Sequence, residues 1–388
     1  MKAYIIKKNR KIEPFGDNVS NCLIGNKELT KWQQEILSER GIEPYFVLNE
    51  DEIKNKEECI CFSDNLYFTL SLLDEFISKA RKENKNTVCV LKKGITTLRT
   101  GTNLQEVTDY KDSIGYDLRY YPNGNSVTNH SRILINPDEF NASLSVPFHM
   151  CNCKKGYAVP ITNKFMVQID HWVNLWSANI LTALANIARI RNMPKLKLLP
   201  WKLFQNLNKI GNNCKIHRSA LVEANIIGDN VTVEAGAIVR ASIIGDNVHI
   251  GNGVIVEESV VGPNSSILSG HLLYCVFYPN TFSVTGMVSA SLIGRDSFLG
   301  VNTTLTDFRF DGKNVLVLKN NEKIDSGNLF LGACLGHEVY LGSGSIIAPG
   351  RVVPNGLRLT LPKDGVFSKD SNEEKNVRIV NHNNKAVL

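Results

Sequence analysis

Long apolar runs are missing from this chain. No stretch approaches the ~20 residues that a membrane-spanning helix needs. The start, Met1-Lys2-Ala3-Tyr4-Ile5-Ile6-Lys7, is basic and soon polar, without the apolar core of a signal peptide. The chain therefore reads as cytoplasmic, with no membrane partner. Zinc spacing is also missing. Nine cysteines are present, but Cys59/Cys61 and Cys151/Cys153 each enclose a single residue rather than the two of common zinc sites. Buried, reduced thiols in a reducing compartment are expected instead. No dense Lys/Arg stripe with interleaved aromatics occurs, which argues against nucleic acid as a partner. A formal charge of +6 over 388 residues is modest and suits phosphorylated small molecules. At 43% hydrophobic and 21% charged, the composition is that of a globular protein long enough for two cores.

What is present is a repeat. Ile210-Gly211-Asn212-Asn213 returns seventeen residues later as Ile227-Gly228-Asp229-Asn230, then as Ile244-Gly245-Asp246-Asn247 and Val261-Gly262-Pro263-Asn264. Within each period aliphatic residues step by six, six and five, as at Ile227, Val233, Val239 and Ile244. A fixed period of this kind marks a stacked solenoid. Three short segments make one triangular coil, and the aliphatic residue of each points to the axis. One coil cannot bury that face alone, so several must stack. The Gly-Asp-Asn and Gly-Pro-Asn triplets suit sharp corners. A β-sandwich with evenly spaced strands would not require identity every seventeen residues. This hexapeptide repeat resembles the left-handed parallel β-helix of the bacterial hexapeptide transferases, an exception to right-handed crossovers.

The repeat loosens after Ile267, breaks over 306–328, and returns at Leu335-Gly336-His337-Glu338 and Leu341-Gly342. A long excursion from a strict solenoid is a candidate functional loop. The expected organisation is an α/β unit at 1–193, a linker at 194–209, a β-helix at 210–362 with the 306–328 excursion, and a polar tail at 363–388.

In the first half, strands are expected at 3–6, 46–48, 59–62 and 88–91. Helices are expected at Leu29–Leu37, stopped by Gly41, and from about Tyr67. Alternation of this kind implies a mostly parallel sheet. Residues 98–160 are less legible, and His130 and His149 there read as surface or satisfied histidines. Residues 170–191 read as a long amphipathic helix ended by Pro194.

Glu13-Pro14-Phe15-Gly16-Asp17, Gly25-Asn26-Lys27-Glu28-Leu29 and Ser63-Asp64-Asn65 follow one another in the order found in sugar-1-phosphate nucleotidyltransferases. The first half resembles that family. The resemblance implies Mg²⁺ held by Asp64 and, from Ile169-Asp170 and Ala178-Asn179, by Asp170, with Arg10, Lys11, Asp64 and Asn65 at the nucleotide and substrate. Helix capping is the plain alternative for both aspartates. The family's phosphate loop is Gly-rich, so that backbone N–H groups cradle the triphosphate. Here Lys7 to Lys11 contains no glycine.

The fused order, α/β unit then β-helix, resembles the bifunctional enzyme that uridylylates N-acetylglucosamine 1-phosphate and acetylates glucosamine 1-phosphate, and its relatives. That implies a homotrimer, acyl-CoA as co-substrate, and a histidine base of near-neutral pKa. His217 and His249 lie on regular coils and read as solvated. His337, after the excursion, is the first choice of base, and His271, where the register slips, the second. The preferred function is acyl transfer onto a sugar phosphate or sugar nucleotide. Nucleotidyl transfer and a non-catalytic scaffold are the alternatives.

Overall fold

The computed structural model describes residues 1–53, 57–123, 130–137, 140–147, 150, 156–191, 207–360, 378–380 and 386–387. The chain divides into two compact units. The first is Met1–Arg189 together with Ile324–Asn328, and the second is Ile190–Lys323 together with Leu329–Leu388. His149, Cys151, Cys153, most of the expected linker and most of the polar tail fall outside the described residues. No helix among those described is long and apolar enough to cross a membrane.

The first unit is built on a sheet whose strands run in the spatial order Ser131–Ile135, Thr87–Lys92, Ser113–Tyr121, Cys59–Ser63, Lys2–Ile6 and Glu43–Val47. Cys59–Ser63 is buried along its whole length, as a central strand covered on both faces must be. Lys2–Ile6 pairs in parallel with both of its neighbours, and Ser131–Ile135 pairs in parallel with Thr87–Lys92. Ser113–Tyr121 runs antiparallel between Thr87–Lys92 and Cys59–Ser63. The sheet is therefore mixed rather than mostly parallel. Leu29–Ser38 and Leu70–Glu83 form the expected helices, with Leu29, Ile36 and Leu37, and Leu72, Leu73, Phe76 and Ile77, on their buried faces. Gly41 follows the first of them at φ +62°. Buried Gln33 on that helix donates to the carbonyls of Asp64 (3.2 Å) and Leu66 (2.8 Å), which pins the turn after Cys59–Ser63. Cys59, Cys61 and Cys89 are buried thiols in the same unit, and burial pushes Cys59 up to about 11.

The second unit is a parallel β-helix. Its strands, two or three residues long over most of its length, stack into three sheets, one per face of a prism. On the first face Ile227, Ile244, Val261, Phe277, Ile293, Leu335 and Val353 lie in one register column, and all are buried. The column steps by seventeen as far as Val261, and Phe277 then follows after sixteen. Asn213, Asn230, Asn247, Asn264 and Asn280 take left-handed backbone at one corner, the conformation that Asn tolerates better than most residues. Their side chains hydrogen-bond from coil to coil, with distances of 3.0–3.3 Å between successive members. At a second corner Ala224, Ala241, Glu258, Tyr274 and Ala290 are left-handed too, with neither Gly nor Asn to ease it. Such residues persist where the surrounding fold over-determines them.

The excursion leaves the third face after Thr304–Leu305 and contains a hairpin of Leu316–Lys319 and Glu322–Asp325. An antiparallel bridge between Phe308 and Phe330, with their rings stacked at 5.4 Å, closes its base.

Candidate functional site

In the first unit the turn after Cys59–Ser63, the loop after Lys2–Ile6 and the approach to helix Trp172–Arg191 meet. They bring Arg10, Asp64, Asn65 and Asp170 together, while Lys11 lies exposed on a two-residue strand paired with Asp17–Asn18. The loop does without glycine because Asn9 takes the left-handed position, at φ +50°. Its amides do not face outward. The Lys8 amide donates to Asp64 Oδ1 at 3.1 Å, and the Asn9 amide also donates to the Asp64 carboxylate. Burial pushes Asp64 above the usual carboxylate range, against the pull of those two amides.

Asp170 is more heavily committed. Its side chain is 2% exposed. Arg10 Nη1 (2.7 Å) and Asn65 Nδ2 (2.8 Å) donate to Oδ1, and the Glu106 amide (2.7 Å) and Gln168 Nε2 (3.2 Å) donate to Oδ2. A carboxylate offers about four lone-pair sites, and these four donors fill them. Arg10 also pairs with Glu106 through Nη2. Asp170 is not used as a side-chain cap in these contacts. In the first turn of the helix the Val173 amide donates to His171 Nδ1, at 3.3 Å.

Mg²⁺ takes hard oxygens and needs them open. Here one aspartate is saturated, with a guanidinium already against it, and the other is bonded to backbone amides. Among the described residues no group of three His, Cys, Asp or Glu side chains is placed to hold a metal. The donor set implied by the nucleotidyltransferase resemblance does not fit Mg²⁺ in this arrangement.

Beside these groups lies a cavity of about 510 Å³, with Lys8, Asn65, Asp117, Arg119, His130 and Gln168 among its lining. Arg119 pairs with Glu50 and, at 3.0 Å, with Asp117. Burial, then the charge of Arg119, pushes His130 below its ordinary value, and its Nε2 lies 3.1 Å from Tyr121 Oη.

In the second unit the two candidate histidines differ. His337 sits at a corner, 8% exposed. Its Nδ1 accepts the Arg295 amide at 3.0 Å, and its Nε2 is 3.0 Å from Arg295 Nη2. Both ring nitrogens thus face N–H donors, and a proton added here would set imidazolium against guanidinium. His271 lies on the outward side of the third face, on strand His271–Leu273. Its Nε2 is 3.0 Å from Glu257 Oε2 on the preceding coil. Glu257 is held in turn by Arg240 Nη1 (3.0 Å), whose Nε donates to Glu223 (2.8 Å). Glu223, Arg240 and Glu257 form one column, a residue per coil. The sequence reading missed that column, although its members are seventeen residues apart.

The next rung beyond His271 is Met287, in direct register. There begins a second cavity, of about 710 Å³, walled by Met287, Ser289, Thr304, Asp307, Arg309 and Phe310. Ser289 Oγ donates to Asp307 Oδ2 at 2.6 Å, which ties the start of the excursion to the third face. The excursion therefore closes over the rung next to His271, and His337 lies on a corner of the prism.

Comparison with known proteins bears on the second unit. Residues 203–280 match the family profile described as the GMPPB C-terminal domain, a span that takes in the strict coils and stops before the excursion. Among solved structures the chain is similar to the acetyltransferase domain of PglB from Neisseria gonorrhoeae FA1090, determined in complex with acetyl coenzyme A. That likeness has 18% sequence identity and a TM-score of 0.19, over 38% of this chain and 50% of that one. The chain thus spans about half the length of that structure. No curated protein sequence matches the chain.

Proposed function

We propose that the β-helix unit is an acyl-CoA-dependent transferase, with His271 as general base and Glu257 as the carboxylate that orients it. One observation carries the reading: the His271–Glu257 contact of 3.0 Å lies one rung from a cavity walled by the excursion. A hydrogen bond from Nε2–H to Glu257 leaves Nδ1 as the proton acceptor and stabilises the imidazolium that forms. The acceptor's amine or hydroxyl attacks the thioester carbonyl, and its proton passes to Nδ1. The new C–N or C–O bond forms, the C–S bond breaks, and the CoA thiolate leaves with the proton that His271 returns. His337 was the first choice from sequence. In this reading the role falls to His271, because Arg295 faces both ring nitrogens of His337.

The acceptor is a sugar phosphate or sugar nucleotide, a substrate class that rests on the resemblance of the Ser63-Asp64-Asn65 turn and the fused order of the units. A homotrimer belongs to the same reading and is checked by light scattering on the eluting protein. The test of the chemistry is acetyl-CoA consumption with a panel of amino-hexose phosphates and nucleotides. His271→Ala is expected to lose about 10²–10⁴ in rate with acetyl-CoA affinity retained, and Glu257→Gln to lose part of that. Parental turnover by His271→Ala would overturn the assignment. Absence of acetyl-CoA binding by the parent would leave the β-helix as an assembly device.

A further inference from the structure

The cavity beside His271 is far larger than the transfer of an acetyl group requires. An acetyl group ends in one methyl, close in size to a water molecule, whose share of liquid volume is about 30 Å³. The cavity holds about 710 Å³. Its length follows from the coils. Met287 pairs with Thr304 and Thr304 with Ile346, so the wall runs over three successive rungs of the third face. Adjacent strands lie about 4.8 Å apart, which makes the wall about 10 Å long. It leads away from His271, one rung before Met287. Its surface is mostly apolar, because polar side chains along it are bonded elsewhere. Ser289 Oγ donates to Asp307 Oδ2 at 2.6 Å, Thr306 Oγ1 donates to the Ile347 carbonyl at 3.1 Å, and Arg309 Nε donates to Asp311 Oδ1 at 2.9 Å. A phosphate would need an open cation, and the guanidinium of this wall is already paired. A sugar would need polar groups free to meet its hydroxyls. Carbon is what the wall offers, from Met287, Phe310, Ala348 and Pro349. Met287 and Phe310 are 49% and 105% exposed, more apolar surface than one methyl can cover.

We propose that this cavity takes the hydrocarbon chain of a medium-chain acyl thioester, about eight to ten carbons long, and that acetyl-CoA is a poor donor by comparison. The proposal rests on the transferase reading above and names its donor. An extended chain advances about 1.2 Å per bond, so about eight bonds span the three rungs. The thioester carbonyl then lies at the Met287 end, next to the rung of His271, and the chain runs toward Ala348 and Pro349. There it covers side chains that an acetyl group would leave wet.

The experiment is calorimetric titration of the full chain with acetyl-, butyryl-, octanoyl-, decanoyl- and tetradecanoyl-CoA. A fully buried methylene tightens binding about fourfold. A chain laid along one wall buries part of its surface, and about twofold per methylene is expected, which is about sixtyfold from acetyl- to octanoyl-CoA. The gain should stop near ten carbons, where the wall ends. Ala348→Phe puts a ring on the last rung. Ala348 is exposed, so the change leaves the prism axis alone, and a parental melting curve verifies the fold. In this variant the octanoyl-to-acetyl ratio of affinities should fall below about tenfold. Equal affinity for acetyl- and octanoyl-CoA, a gain that continues through tetradecanoyl-CoA, or an unchanged ratio in Ala348→Phe would each overturn the proposal and leave the transferase reading standing. Failure of all five thioesters to bind would overturn both, so the two failures are told apart.

Discussion

Glu258 is expected to make the β-helix lose stability as pH rises through neutrality. It is half-buried at a left-handed corner, φ +47°, directly after strand Ile255–Glu257. Burial first, and then the charge of Glu257, carries its carboxyl from an ordinary 4.5 up to about 7, while Tyr274 and Arg240 pull less strongly the other way. The unfolded chain keeps the ordinary value. Between those limits the folded state binds a proton that the unfolded state releases. Stability is therefore undiminished below the unfolded value and falls as pH climbs through the folded one. A displacement of this size corresponds to about 3 kcal/mol between the two charge states. Partial exposure of the side chain screens part of that, and about 1–2 kcal/mol is the loss to look for. Glu258→Gln removes the titration and keeps the shape. Urea denaturation followed by circular dichroism, on parent and variant at about pH 4 and about pH 8, reads the difference directly. The variant should match the parent at the lower pH and exceed it by about 1–2 kcal/mol at the higher. An equal difference at both pH values would show that this carboxyl is not desolvated in the fold, and the argument from burial would fail.

Other outcomes follow from the same coordinates. Ile244→Asp puts a charge into the axial column at a site 2% exposed, and should cost more than about 5 kcal/mol; a parental melting curve would refute the prism. Gly245→Ala sets a Cβ 2.6 Å from the nitrogen of Pro263 on the next coil, and should cost about 1–3 kcal/mol in a denaturant titration. Asn247→Ala interrupts the corner ladder between Asn230 and Asn264 and should cost about 1 kcal/mol. Pyrophosphate release from nucleoside triphosphates and hexose 1-phosphates should be absent; robust Mg²⁺-dependent release abolished by Asp64→Asn would restore the nucleotidyl reaction.

The β-helix was legible because each coil presents the same three environments, so its sequence repeats where its structure does. The shortened coil hid part of the site. Val261 to Phe277 and Ile255 to His271 both step by sixteen, so an eye set to seventeen sets His271 against Val254, whereas its register partner is Ile255, on the same strand as Glu257. Ser113–Tyr121 escaped notice for another reason. It is buried over most of its length, which removes the polar alternation that marks a strand with one wet face. Local motifs singled out Asp64, Asn65 and Asp170, but not the groups that bond to them. Arg10 and Glu106 reach Asp170 from distant elements and Gln168 from two residues before it, and no spacing announces a saturated carboxylate. Gly-free Lys7–Lys11 was the one local sign of it.

The first unit is discontinuous in sequence, and that sets an order for its assembly. Ile324–Asn328 belongs to it, although more than a hundred residues of β-helix come before that segment in the chain. Arg99 Nη1 donates to the Gly327 carbonyl at 2.7 Å, Asn328 Nδ2 donates to the Arg99 carbonyl at 3.2 Å, and Tyr157 Oη donates to Asn328 Oδ1 at 3.2 Å. During synthesis Arg99 and Tyr157 emerge long before these partners exist. The unit must therefore wait, incomplete at this edge, until most of the prism has been made. A fragment ending near residue 193 would carry the same gap permanently. The excursion is thus the last piece of a unit that the ribosome began first, and a cut at the linker yields one and a fraction units rather than two.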